Sequence, residues 1–548
     1  MSAELTRKEL LTTALCATVL AALPARSSGQ TANTPDLTVA DLRAFQKVAG
    51  LSFTDEELTA ALPEVKSNLS ALLSLHRPFD NRLEPPTIFT PIRAASKPSK
   101  PKLKLDRVSL KRPANDEDLA FLSVHELGHL LRTRQVTSVE LTKIYLARIA
   151  KYNPKLMCVV TVLDQYGLEQ AAKADRELAL GKVRGPLHGI PFGVKDLLSK
   201  KGFPTTWGAE PFVTQSLDYD ATVVRRLESA GAVLIAKLTT GSLAYNDQWF
   251  GGQTKNPWNL SRGSSGSSAG PGSATAAALV AFAIGTETLG SIVSPSNECR
   301  VTGLRPSYGR VSRYGAMDLS YTMDKLGPMC RSTQDCALVF SAIYGKDPFD
   351  RSSVDGGFIF EPNLDLSKLR VGVVSEGAVP GDDPVLGILA KAGAQLKKAK
   401  LPGDPEKLLP ILDCEGACAF EELTRNGGIN ELKAKFWQNT FRGARFVSAV
   451  DYLLAQRARA ELMADVDHFF KDFDLLFDVG IGNNSILHTN LTGHPQILIP
   501  LGPTKSNTSQ SRSLVGQMDA EGLLLSVSWA IQRQLPYWRL RPDMSKVA

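Results

Sequence analysis

Apolar positions change their period along the chain. Between residues 39 and 75 they recur at helical spacing, with Leu58, Leu62 and Val65 on one face and Thr54 and Glu57 placed as a capping box. Residues 77–113 carry frequent proline and little periodicity, the pattern of a strap lying on a larger body. After Asp116 the pattern becomes regular. One helix is expected over residues 119–131, and Thr137 with Glu140 opens a second that carries Leu141, Ile144, Tyr145 and Ile149.

Residues 158–162 read as a strand, 168–180 as a charged helix, and 189–194 as a buried segment ending at Lys195. A helix over 221–230 and an apolar strand over 232–236 follow, and the alternation continues to about residue 344. Beyond it, 369–374, 475–477 and 497–499 look like strands, much of 384–470 like amphipathic helices, and 522–532 like a final helix. Alternating helices and apolar strands predict an α/β fold with a large mixed central sheet flanked by helices, and a small N-terminal helical extension. The expected division is a leader over residues 1–30, the helical extension with a Pro/Lys-rich linker over 31–114, and the main domain over 115–548.

Composition narrows the class. With 548 residues and 43% apolar side chains, the chain is too long for one ordinary core and too apolar for disorder. Its 63 Lys and Arg against 56 Asp and Glu leave a formal charge of +7, small for this size. The one dense basic stretch, residues 93–112, is interleaved with proline and nearly free of aromatic residues that could stack on bases. It reads as a solvated linker, so no nucleic-acid partner is expected. Seven cysteines announce no disulfide framework, and Cys414 and Cys418, one helical turn apart, lack the other half of a metal site.

The first residues resemble an export signal. Arg7 and Lys8 precede an apolar run over residues 10–23, followed by small residues suited to cleavage. The run is too short and too rich in threonine to span a bilayer, so no stable membrane insertion is expected. An exported, periplasmic or secreted protein is the expectation, with a cytoplasmic one as the alternative.

The most informative segment is Arg262-Gly-Ser-Ser-Gly-Ser-Ser-Ala-Gly270, which runs into an Ala-rich stretch read as a buried helix over 274–283 and then into Gly285-Thr-Glu-Thr-Leu-Gly-Ser-Ile292. Glycine and serine usually make linkers, but a linker does not run into a core. Close backbone approach and an anion-binding nest explain them better. Ser291 then stands beside backbone N–H groups able to stabilise an oxyanion. A serine nucleophile needs a base, none of the seven histidines sits in a G-x-S-x-G context that would support a conventional triad, and lysine is the remaining candidate.

With Asn256-Pro-Trp258, Lys195-Asp196 and Thr205-Thr206, this segment resembles the amidase signature family. The resemblance extends through Gly303-Leu-Arg-Pro306, Gly309-Arg310, Leu326-Gly-Pro328 and Asn490-Leu-Thr-Gly-His-Pro495, roughly residues 118–535. It implies a free-standing enzyme that hydrolyses a carboxamide through a serine, a second serine on a cis peptide bond, and a lysine. Motif by motif, it places the nucleophile at Ser291, the cis-serine at Ser267 and the lysine at Lys195. It implies oxyanion donors at Thr288, Leu289, Gly290 and Ser291, with Asp196, Thr206, Gly266, Ser268 and Glu287 in support, and neither metal nor cofactor. A small amide substrate and a monomer or homodimer go with this reading. The alternative is the glutamine-hydrolysing A-type subunit of a tRNA-dependent amidotransferase.

The chain departs from the family pattern at several positions. Ser265 and Ala269 stand where glycines are usual, and Glu287, Leu289 and Val293 replace the usual aspartate, glycine and arginine, leaving Glu287 without its local cation. Asn490, Thr492 and His494 are read as packing behind the site. Tyr245, Trp249 and Phe250 are open to a pocket or a core role. His125-Glu-Leu-Gly-His129 fits the HExxH zinc pattern but lacks a third ligand, and the resemblance makes it an early helix.

Overall fold

The structure, a computed structural model, describes residues 36–75, 89–93, 100–374, 383–502 and 510–547. The leader expected over residues 1–30 lies outside the described residues. The described residues divide into two compact units: 36–75, 89–90, 318–323 and 402–468 form one, and 91–93, 100–317, 324–374, 383–401, 469–502 and 510–547 the other.

The smaller unit is helical. Val39–Val48 and Asp55–Leu73 each begin with a complete capping box, at Thr38 with Asp41 and at Thr54 with Glu57. Leu58 and Val65 bury together with Leu42, and Leu62, the third residue of the expected face, packs against them half-buried. Leu409–Ala419, Lys435–Ala444 and most of Ala449–Phe469 complete the unit. Within it, the buried Glu415 carboxylate accepts from the hydroxyls of Thr322 and Tyr452 at 2.8 and 3.0 Å.

The larger unit is built on an eleven-stranded mixed sheet, the α/β architecture expected. Across the sheet the strands run Gln395–Ala399, Arg370–Val374, Leu475–Val479, Gln510–Gly516, Gln496–Leu501, Thr302–Arg305, Lys325–Cys330, Phe282–Glu287, Pro191–Lys195, Val233–Leu238 and Val159–Val162. Pro191–Lys195 is parallel to both of its neighbours, and its residues are buried throughout. This is the continuous apolar signature of a strand covered on both faces.

Two elements differ from the sequence expectation. The helix expected over 119–131 is two helices, Asp116–Ala120 and Val124–Arg132. Ser123 accepts from the Glu126 amide while the Glu126 carboxylate accepts from the Ser123 amide at 2.8 Å, so a capping box restarts the chain in mid-pattern. The helix expected over 274–283 runs instead from Ala269 to Ala276 and gives way to the strand Phe282–Glu287. Ala278 takes a left-handed φ of 49°, and Leu279 N–H closes on the Ala274 carbonyl at 2.8 Å, a Schellman-type stop. Alanine usually continues a helix, so nothing in the residue type marks this end.

Candidate functional site

The register of two parallel strands positions the site. Phe192 pairs with Phe282, and their rings stack at 5.2 Å and 5°. That contact fixes the strands so that Lys195, three residues further along, reaches the end of its neighbour. Lys195 Nζ lies 2.8 Å from Ser267 Oγ and 2.8 Å from Thr286 Oγ1, with no side-chain surface exposed. Its polar partners are two hydroxyls and the Thr286 carbonyl, with no carboxylate among them. Burial therefore pushes the amine well below its ordinary value, and the more distant charges of Asp324 and Glu287 only partly oppose this.

The peptide bond between Gly266 and Ser267 is cis. Gly266 is required by close approach, because a Cβ there would stand 1.8 Å from the Asn246 carbonyl oxygen. Ser265 occupies a left-handed conformation, φ 58°, at a position where the family uses glycine. Its amide donates to Asp247 Oδ2 at 3.1 Å, and its hydroxyl meets that of Ser294 at 2.7 Å, which holds a conformation serine rarely adopts. Ser268 then joins three segments: its hydroxyl donates to the Thr286 carbonyl at 3.0 Å and accepts from the Thr286 amide at 3.1 Å, and its amide donates to the Ser291 carbonyl at 3.1 Å.

Ser291 sits in the turn between Phe282–Glu287 and the helix Val293–Cys299 and is 8% exposed. The left-handed residue of this turn is Gly290, φ 85°, and not Leu289, so leucine fits where the family has glycine. Among the described residues, the amides of Leu289, Gly290 and Ser291 donate to no protein acceptor. Thr288 is anchored instead through its hydroxyl, which donates to Asp324 Oδ1 at 2.5 Å.

Glu287 organises the turn from below. Its Oε2 accepts from the amides of Ile292 and Val293 at 2.8 and 3.1 Å, and its Oε1 accepts from Asn490 Nδ2 at 3.1 Å. The missing arginine at 293 is replaced by Arg305, whose Nη1 stands 2.8 Å from Glu287 Oε1. Burial alone would raise the Glu287 carboxyl, but Arg305, the Ile292 amide and the Lys325 charge together hold it below its ordinary value. Arg305 is held in turn by Thr489 and the His494 carbonyl. Burial beside Arg305 and Arg93 takes the His494 imidazole down to about 3, so it is neutral, and its Nδ1 meets Thr492 Oγ1 at 2.8 Å.

Asp196 and Thr206 meet as well: the Asp196 carboxylate accepts from both the amide and the hydroxyl of Thr206. The structure thus gathers Lys195, Asp196, Thr206, Gly266, Ser267, Ser268, Glu287 and the 288–291 turn in the larger unit. Four of their partners escaped the sequence reading: Thr286, Arg305, Asp324 and Lys237. Lys237 carried a visible signal, a lysine inside an apolar strand. Trp249 and Phe250 pack edge to face at 4.7 Å. On Val124–Arg132, His125 turns Nε2 to the Asp106 carbonyl at 2.8 Å.

An α/β fold with a buried lysine, a cis-linked serine and a second serine in a glycine turn is that of the serine hydrolases of carboxamides. Residues 140–491 match the Amidase family model, and the chain belongs to that family. It is 32% identical over 481 residues to the A-type subunit of the glutamyl-tRNA(Gln) amidotransferase of Roseiflexus sp. (strain RS-1), covering 77% of this chain and 98% of the relative. It is 30% identical to the protein of the same name from Moorella thermoacetica, over 78% of this chain and 99% of the other. Among solved structures it resembles the native peptide amidase of Stenotrophomonas maltophilia, with TM-score 0.67, 27% identity and coverage of 77% and 98%. It also resembles an amidase family protein of Bacillus anthracis str. Ames, with TM-score 0.70, 25% identity and coverage of 78% and 93%. The chain is an amidase-signature enzyme that hydrolyses carboxamides through a serine.

These relatives correct two expectations. The chain is matched along 77–78% of its length by subunits of enzymes named for a tRNA, so a monomer or homodimer acting on a small amide without any nucleic-acid partner does not stand. Composition misled here because a modest net charge does not exclude a nucleic-acid partner. Export to the periplasm or beyond does not stand either, because the relatives matched along most of the chain are subunits of an amidotransferase named for a glutamyl-tRNA. A short apolar run after two basic residues is too common a pattern to outweigh that.

Proposed function

We propose that Ser291 is the nucleophile, Lys195 the base and Ser267 the relay between them, and that the substrate carboxamide is that of glutamine. The chain then serves as the ammonia-releasing A-type subunit of a tRNA-dependent amidotransferase in the cytoplasm. The observation that carries the chemistry is the Lys195 amine, 2.8 Å from Ser267 Oγ, whose hydrogen-bond partners among the described residues are hydroxyls and a carbonyl, with no carboxylate. A neutral amine accepts the proton of Ser267 while Ser267 takes that of Ser291, and Ser291 Oγ bonds to the amide carbon. The negative charge on the carbonyl oxygen meets the amides of the 288–291 turn, each well-placed donor contributing roughly 3 kcal/mol in comparable hydrolases.

Collapse of the intermediate breaks the C–N bond. The proton returns through Ser267 to the nitrogen, and ammonia leaves. Water attacks the acyl-enzyme with the same relay as base, giving glutamate and free Ser291. The choice of glutamine rests on the relatives, 30–32% identical and matched over 98–99% of their own lengths.

The test is affinity purification of the tagged chain from its own cells, followed by assays of glutamate formed from glutamine with and without glutamylated tRNA and ATP. Co-purification of a second protein chain and tRNA-stimulated glutamate formation support the proposal. A solitary chain that leaves glutamine intact and releases ammonia from a C-terminal peptide amide overturns it.

A further inference from the structure

The site contains a second buried lysine. Lys237 and Lys195 both lie at 0% exposure on adjacent parallel strands, and the register pairs Val194 with Lys237 and Lys195 with Leu238. In-register neighbours of parallel strands point to the same face, and successive residues to opposite faces. Lys237 therefore shares a face with Val194 and lies on the side of the sheet opposite Lys195. Asp196, next in the chain, is drawn to the Lys237 side: Lys237 Nζ stands 2.7 Å from Asp196 Oδ1.

The two amines have contrasting surroundings. Lys237 Nζ is ion-paired with the Asp196 carboxylate and donates to the Pro204 carbonyl at 3.0 Å and to Thr205 Oγ1 at 2.9 Å. Burial lowers this amine too, but the Asp196 charge beside it opposes the shift and favours the ammonium. Lys195 has Ser267, Thr286 Oγ1 and a carbonyl. Asp196 Oδ2 also accepts from the Thr206 amide at 2.9 Å and from the Thr206 hydroxyl, while Oδ1 faces the Lys237 ammonium, so the carboxylate is engaged away from Lys195.

We propose that Lys237 is a positioning residue for the reaction: it neutralises Asp196 on the far face of the sheet and so leaves Lys195 as the buried lysine that has no carboxylate of its own. Without Lys237, an uncompensated carboxylate one residue from Lys195 would favour the protonated amine and stop the relay. The other charges facing Lys195 are Asp324 and Glu287, and Glu287 is itself answered by Arg305 and Lys325. Lys237 touches none of the reacting atoms and acts only through Asp196. The proposal rests on Lys195 being the base, and does not depend on which amide is hydrolysed.

The experiment is therefore substrate-independent. A fluorophosphonate probe is applied to the full-length protein across a pH series, and the rate of covalent labelling is read by mass spectrometry. In this reaction the Ser291 Oγ–P bond forms, the P–F bond breaks with loss of fluoride, and the serine proton passes through Ser267 to Lys195. Lys195→Met must abolish labelling; full-rate labelling of that variant removes the base and the proposal with it.

With the base established, Lys237→Met moves the acid limb of the rate profile up by about one pH unit, and Asp196→Asn moves it down by a similar amount. The double variant D196N/K237M, which removes both charges, returns the limb to the wild-type position. Replacing a buried pair on both sides usually preserves folding, so the double variant and D196N keep the test decisive even if K237M alone does not fold. An unmoved limb in folded K237M and D196N, or a double variant whose limb stays displaced, overturns the proposal.

Discussion

Arg305 Nη1 stands 2.8 Å from Glu287 Oε1, with neither side chain exposed, and this pair supports the turn that carries Ser291. A cation eighteen residues along the chain thus does the work that the family pattern assigns to a neighbour of the nucleophile. Breaking such a pair from one side leaves a buried charge without a partner. Arg305→Met is expected to cost about 3–5 kcal/mol of stability in chemical denaturation. A loss below about 1 kcal/mol would mean that the pair does not hold the turn.

In the proposed relay Ser267 links base to nucleophile. Ser267→Ala leaves both in place but removes the proton path, so kcat is expected to fall by about 10²–10⁴ while KM stays within a few-fold. Initial-rate kinetics on the amide substrate check this. Loss confined to KM would show Ser267 to be a binding residue.

The Lys195 amine lies below its ordinary range in the folded protein because of burial. Below its ordinary value the unfolded chain holds a proton there that the folded chain lacks, so the unfolded state binds more protons and stability rises with pH. Lys195→Met removes this term. The variant is expected to melt higher than the wild type at neutral pH, with the difference shrinking as pH rises toward 10. Thermal melts at pH 7 and pH 9.5 measure it, and a difference independent of pH contradicts the buried neutral amine.

Gly266 faces the Asn246 carbonyl, and an added methyl carbon would stand 1.8 Å from that oxygen. Backbone cannot yield as a flexible side chain does. Gly266→Ala is expected to destabilise the protein by about 1–3 kcal/mol or more and to abolish detectable hydrolysis, as measured by denaturation and ammonia release. A stable, active variant would show that the segment can shift away from Asn246.

The sequence made the chemistry legible where it depends on short motifs. Lys195, Ser267 and Ser291 each stand in a local pattern, and the sheet brings Lys195 and Ser267 within hydrogen-bond distance. Residues that act across long separations were not legible. Arg305 answers Glu287 from another strand, and its motif, Gly303-Leu-Arg-Pro306, does not say which carboxylate it meets. Lys237 meets Asp196 because two strands pair in one register, and register is a property of the assembled sheet. The helix stop at Ala278 was hidden for a different reason: the signal is a backbone angle, and the residue bearing it is one that normally favours helix.

In the proposed mechanism Ser291 carries the acyl group. Ammonia release by the purified enzyme, in whatever assembly it is isolated, is measured with Ser291→Ala alongside. A fall of at least about 10³-fold in kcat is expected, with the fold intact by circular dichroism. Activity within a few-fold of the wild type would contradict that mechanism.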